Sequence, residues 1–268
     1  VIDRMKDSKG SFIRALKPEI NAAMRQLKNS LIHALFRNGG GAIGQISATS
    51  NTATATITLA TPSDIRFFNP GQILVVSATD GTSGAVRAGT AVTVLSVNRN
   101  TGTVTATGAW NASMATAALD YIFVDGDFGA KLKGMDAWVP ATDPGATTFY
   151  GVDRSVDPLR LGGIRADYSG IPIEEGLMRA LERCAREDAA IDILTMHPLD
   201  WTNLAIALGT RVQYSTVEAF DAPQIGFDTI KVIGPTGKVD ILCDPNETPN
   251  VMRAIQLDTW TLYSLGGL

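Results

Sequence analysis

Residues 11–37 read SFIRALKPEINAAMRQLKNSLIHALFR, and the spacing of their apolar side chains predicts one long helix. Ile13, Leu16, Ile20, Met24, Leu27, Leu31 and Leu35 recur at steps of three and four, while Arg14, Lys17, Asn21, Arg25 and Lys28 fall on other faces. Pro18 lacks an amide hydrogen and suits the first helical position, so residues 11–17 are expected as a looser or kinked lead-in. Asn38 followed by Gly39 supplies a left-handed stop. From Pro18 to Arg37 the rod is roughly 30 Å long at about 1.5 Å per residue. It suits a scaffold on which strands and neighbouring subunits lie, and also a core helix in any α+β domain.

Beyond that helix the chain turns short, extended and punctuated by glycine. Gly39, Gly41 and Gly44 spell a literal G-x-G-x-x-G, but here the glycines end a helix and lead into a strand. A dinucleotide site needs the opposite order, with a helix N-terminus facing the phosphates, so no cofactor is expected. Over residues 45–124 Thr, Ala, Val and Ser dominate and charges are sparse. Strands are expected at 51–59, 72–79 (entered through Asn69-Pro70-Gly71), 91–98, 103–107 and 119–124, forming a small barrel or sandwich. Trp110 is expected to cap a barrel end. Residues 125–150, rich in Gly, Asp, Pro and Thr, read as a connector, with Asp125 and Asp127 as solvated turn residues, because the further oxygens of a calcium loop are missing.

From residue 151 onward helices and strands alternate. PIEEGLMRALERCARED at 172–188 places Ile173, Leu177, Ala180, Leu181 and Cys184 on one face, with Glu174 and Glu175 near the positive helix start. A buried strand at 191–196 leads through His197-Pro198 into a second helix stopped by Gly209. Further strands are expected at 230–233, 239–243, 251–257 and 259–264. The fold class is α+β.

Chemistry is thinly represented. The two histidines, His33 and His197, are too few for a histidine metal cluster, and no nucleophile elbow, phosphate loop or C-x-x-C occurs. The best enzyme candidate is His197 with Asp200 at a strand end. Against it, Asp200 is well placed to favour the helix start and Trp201 to pack beneath it. No catalytic, cofactor or metal residue is assigned.

Lys and Arg number 23 against 27 Asp and Glu, a formal charge of −4, which lacks the basic excess of a dedicated nucleic-acid binder. Cys184 and Cys243 are the only cysteines, so no disulfide framework is expected and a reducing compartment is inferred. With no apolar run long enough for a membrane span and no cleavable signal, the chain reads as soluble. It opens on valine, and residues 1–9 carry charge without a core pattern, which reads as a start inside a longer gene product.

Several segments together resemble major capsid proteins of tailed bacteriophages: ALFRNGGGAIG closing the long helix, KLKGMDAWVP, FYGVDRSVDPLRLGG, HPLDWTNLAIALG with RVQY following, and QLDTWTLYSLG. The resemblance spans nearly the whole chain and implies the HK97-like capsid fold. Residues 1–44 would then hold an N-terminal segment and the spine helix of a peripheral domain, and 45–125 an inserted β domain. Residues 126–150 would be connector and peripheral strands, 151–250 the axial domain of the capsomer centre, and 251–268 strands returning to the peripheral sheet. In that family an N-terminal arm and an extended loop precede the spine helix, and that neither is found in this sequence fits the expected start inside a longer gene product. The implied function is self-assembly into hexamers and pentamers of an icosahedral virion shell, formed in the bacterial host cytoplasm. Implied partners are portal, scaffolding and decoration proteins, with weak contact to packaged double-stranded DNA and no membrane. An encapsulin-like compartment shell shares the fold, and a hydrolase or lyase using His197 and Asp200 is the third reading. Glu174, Glu175, Arg179, Arg183 and Arg186 are the first charges to test at interfaces, or else a solvated helix face.

Overall fold

A computed structural model describes residues 9–209 and 230–261. The chain forms two compact units, Val1–Pro140 and Ala141–Leu268. Its fold class is mixed α+β.

The first unit opens with α1 (Lys9–Phe36), an unbroken 28-residue helix. Pro18 lies inside it rather than at its start, which corrects the expected lead-in: only the proline's own hydrogen bond is forfeited, and the helix continues on both sides. The stop falls as the sequence reads, with Gly39 at φ +88° and the Asn38 side chain accepting the Gly40 amide at 2.9 Å. Burial along α1 is uneven. Every residue from 18 to 30 is exposed, whereas His33, Ala34 and Phe36 are buried.

Next come β1 (Ala42–Gln45), β2 (Thr56–Thr58), β3 (Ile73–Ser77), β4 (Val92–Asn98), β5 (Thr103–Ala106), the short helix α2 (Trp110–Met114), β6 (Tyr121–Val124) and the single turn α3 (Met135–Trp138). The strands form a six-stranded antiparallel sheet in the order β1-β6-β3-β4-β5-β2. Its outer strands meet through the Ile46↔Leu59 bridge, with Ser47 N donating to Thr58 O at 2.9 Å and Ala60 N to Gln45 O at 2.8 Å. The sheet is thus closed into a barrel, which removes both edges. Alternate side chains point inward, so Ile57, Leu74, Val92, Val94, Val104 and Ile122 fill the interior. Trp110 belongs to that core and is fully buried, its indole N–H donating to Ala55 O at 2.9 Å. Most expected strands are present in shortened form. β1 is the strand into which the glycines after α1 lead, and residues 51–55 form turns, because Asn51 and Thr54 bond to their own neighbours.

The second unit contains the hairpin β7 (Thr148–Phe149) and β8 (Val152–Asp153), then α4 (Pro158–Gly162), α5 (Ile173–Arg186), β9 (Ile193–Met196), α6 (Pro198–Leu208), β10 (Ile230–Gly234), β11 (Gly237–Cys243) and β12 (Met252–Ile255). The last four strands form one sheet in the order β10-β11-β9-β12. β11 and β9 are parallel and the outer pairs antiparallel. Leu177 and Leu181 of α5 and Leu204 of α6 pack on Leu194, Val239 and Ile241, so both helices cover one face. β12 pairs with β9 in this sheet, where the sequence reading had set residues 251–268 apart as strands of another. Of the last expected strand, Thr259 ends a 3₁₀ turn, and residues 262–264 lie outside the described residues, as do RVQY at 211–214 and residues 1–8.

Candidate functional site

His197 and Asp200 stand together at the carboxyl end of β9, and both are engaged in local structure. His197 is the N-cap of α6, its Nδ1 accepting the Leu199 amide at 3.2 Å. Asp200 is buried in the first turn of α6, where its carboxylate faces the positive helix start, and its Oδ2 accepts the Asn250 amide at 2.8 Å. Asn250 has φ +62°, so this bond pins the connection between β11 and β12 at its most constrained residue.

The same connection carries a group that no motif announced. Glu247 is 1 % exposed, pairs with Arg253 of β12, and accepts from Thr195 Oγ1 at 2.9 Å and from the Thr248 amide at 2.9 Å. Both carboxylate oxygens are therefore occupied by donors of the chain itself. The register explains the meeting, since Thr195 and Arg253 are directly paired across β9 and β12. In sequence the three residues are scattered, and only the strand pairing brings them together.

The charges singled out on α5 pair mostly along the helix. Glu175 bonds Arg179 one turn on, and Glu182 lies 3.6 Å from Arg186, both pairs exposed and of small energetic weight. Glu174 and Arg183 are half-buried. Cys184 is buried against the core, which pushes its thiol pKa up, while Cys243 is exposed. Asp127 pairs with Lys131 at 2.9 Å and Asp125 is exposed, and among the described residues no three ligating side chains converge. Among those residues, too, no helix is long and apolar enough to cross a membrane.

The most unusual surface is on α1. Ile20 is 50 %, Met24 53 % and Leu27 71 % exposed, all on the apolar stripe of the sequence. The stripe's steps of 3, 4, 4, 3, 4, 4 make two eleven-residue repeats from Ile13 to Leu35. At about 3.67 residues per turn such a stripe runs almost straight along the helix. Arg25 and Lys28 flank the exposed part of this stripe. Sequence reasoning found the stripe and placed it as a scaffold. That every residue from 18 to 30 of the helix is exposed is visible in the tertiary structure alone.

A scan against protein-family models and a search of curated proteins found no match to this chain.

Proposed function

We propose that this chain is a structural shell subunit, a major capsid protein of the tailed-bacteriophage type with the HK97-like fold. The observation that carries the reading is α1: a 28-residue helix whose apolar stripe lies exposed over residues 18–30 is surface made for a neighbour. The capsid-like order of segments noted in the sequence supports it further. On this reading α1 is the spine helix, the closed barrel of β1 to β6 is an inserted domain, and the helix-covered sheet of β9 to β12 belongs to the axial domain. Stability comes from many copies of an interface of at least about 1,000 Å². The formal charge of −4 keeps contact with packaged DNA weak and salt-sensitive.

Electron microscopy of the purified full chain tests the proposal. Closed icosahedral particles or rings are expected, and a stable monomer at high concentration would overturn it. DNA inside the particles distinguishes a phage head from a compartment filled with cargo protein.

A further inference from the structure

The two units carry opposite charge. Residues 1–140 hold 13 Lys and Arg against 9 Asp and Glu, a formal +4, while residues 141–268 hold 10 against 18, a formal −8. Within the first unit α1 alone has five cations and one anion, also +4. The exposed apolar stripe therefore sits on the basic unit, flanked by Arg25 and Lys28.

A helix in that state is poorly supported by itself. Its residues 18–30 are all exposed and so have little of the tertiary packing that supplies most helix stability in proteins, and Pro18 in its interior costs about 3 kcal/mol relative to alanine. Two α1 helices laid side by side would bury the stripe but bring +4 against +4. The second unit, with its eight net negative charges, offers the complementary surface.

We propose that the Ile20, Met24 and Leu27 face of α1 docks on the acidic second unit of a neighbouring copy of this chain. The contact is head-to-tail: each copy offers a basic helix to one neighbour and an acidic unit to another, so copies chain into rings or larger closed arrays. Apolar burial supplies the affinity, and the opposite charges set orientation and association rate. This rests on the shell reading above and names the surfaces that such a shell joins.

The test uses the full chain with a photo-crosslinking residue at position 27, mixed with isotope-labelled wild-type chain so that crosslinks between copies are identified by mass. Crosslinks from position 27 into residues 141–268 of the other copy are expected. Crosslinks within one copy, or from α1 to α1, overturn the proposal, and so does an absence of crosslinks. In parallel, Leu27→Glu and the pair Arg25→Glu with Lys28→Glu change only exposed residues and should leave the circular dichroism of the fold intact. Each should weaken self-association at least tenfold by sedimentation. Wild-type association should fall as the screening length shrinks from about 10 Å at 0.1 M salt to about 3 Å at 1 M. Unchanged association in these variants, or association only when nucleic acid is added, sinks the contact. Because a Leu27→Glu chain keeps its acidic unit, it should still cap wild-type assemblies and shorten them. Failure of the shell reading is told apart by microscopy: open fibres carrying the expected crosslinks keep the contact and remove the shell, whereas closed particles without them do the reverse.

Discussion

Arg37 donates its Nε–H to Nε2 of His33 at 3.1 Å, one turn earlier on α1, and the imidazole ring lies 4.0 Å from that of Phe67. A ring nitrogen that accepts from a guanidinium carries no proton, so His33 is neutral. Burial first, and then the charges of Arg37, Arg66 and Lys131, bring its pKa from 6.5 down to about 3. In the unfolded chain the imidazole takes a proton below about 6.5, which the folded chain refuses until about 3. Stability from this residue is therefore complete above about pH 6.5 and is lost as pH falls toward about 3. At about 1.4 kcal/mol per unit the loss is on the order of 5 kcal/mol. Asp64 acts in the opposite sense: burial raises its pKa against the pull of Arg37 and Arg66, so acid relieves its desolvation. Urea midpoints at pH 7 and pH 4.5 should differ more for wild type than for His33→Gln. Equal differences would remove His33 from the account.

Arg87 grips Asp120 at two points, Nε to Oδ2 at 2.6 Å and Nη2 to Oδ1 at 2.7 Å, tying the β3–β4 loop to the start of β6. The Asp120 side chain is only 3 % exposed, so Arg87→Met leaves a buried carboxylate that has lost its counter-charge and keeps the Ala117 amide as a donor at 2.7 Å. We expect a loss of about 3 kcal/mol. Lys131→Met, which opens the more exposed pair with Asp127, should cost less than about 1 kcal/mol. Denaturant titration of both variants checks the ordering, and equal costs would contradict it.

Gly134 abuts the carbonyls of Ala34 and Leu35 at the end of α1, and its amide donates to Arg37 O at 2.9 Å. An added Cβ collides with both carbonyls, so Gly134→Ala should destabilise the first unit by about 2–3 kcal/mol and lower helical circular dichroism as the last turn of α1 shifts. Gly126→Ala is the control: its Cβ meets nothing within 4 Å, and only the positive φ of 86° resists it. Helicity should survive there.

Asp188 follows α5 in the left-handed conformation, φ +62°, with its amide bonded to Ala185 O and the Ala189 amide to Cys184 O, both at 3.1 Å. This is the helix stop that glycine favours. Asp188→Gly should raise stability by up to about 1 kcal/mol, read as a higher melting temperature. A lower one would show that the aspartate side chain contributes more than its backbone strain costs.

Helix α5 and the barrel strands were legible because their signals are local. Ile173, Leu177, Leu181 and Cys184 repeat at helical spacing and do line the core or pack against it, and the alternating Thr and Val of β4 and β5 point to opposite faces. The full burial of Trp110 was not legible, because it depends on Ala55, more than fifty residues earlier, which presents the carbonyl its indole needs. Pro18 is the expectation that the structure corrects. A proline weakens a helix locally, and whether the helix ends there depends on the residues around it.

By itself the amino-acid sequence determined where the long helix stops, that a Thr- and Val-rich β domain follows, and that helices and strands then alternate. These depend on side-chain period, glycine and proline conformations and simple composition, all short-range properties. Tertiary structure alone decided that Ile46 meets Leu59 to close the barrel, that β12 joins β9 and so brings Thr195, Glu247 and Arg253 together, and that Ile20, Met24 and Leu27 of the α1 stripe are left bare. Each of those outcomes is a pairing between residues far apart in the chain, or the lack of one, and periodicity can name an apolar face without naming what covers it.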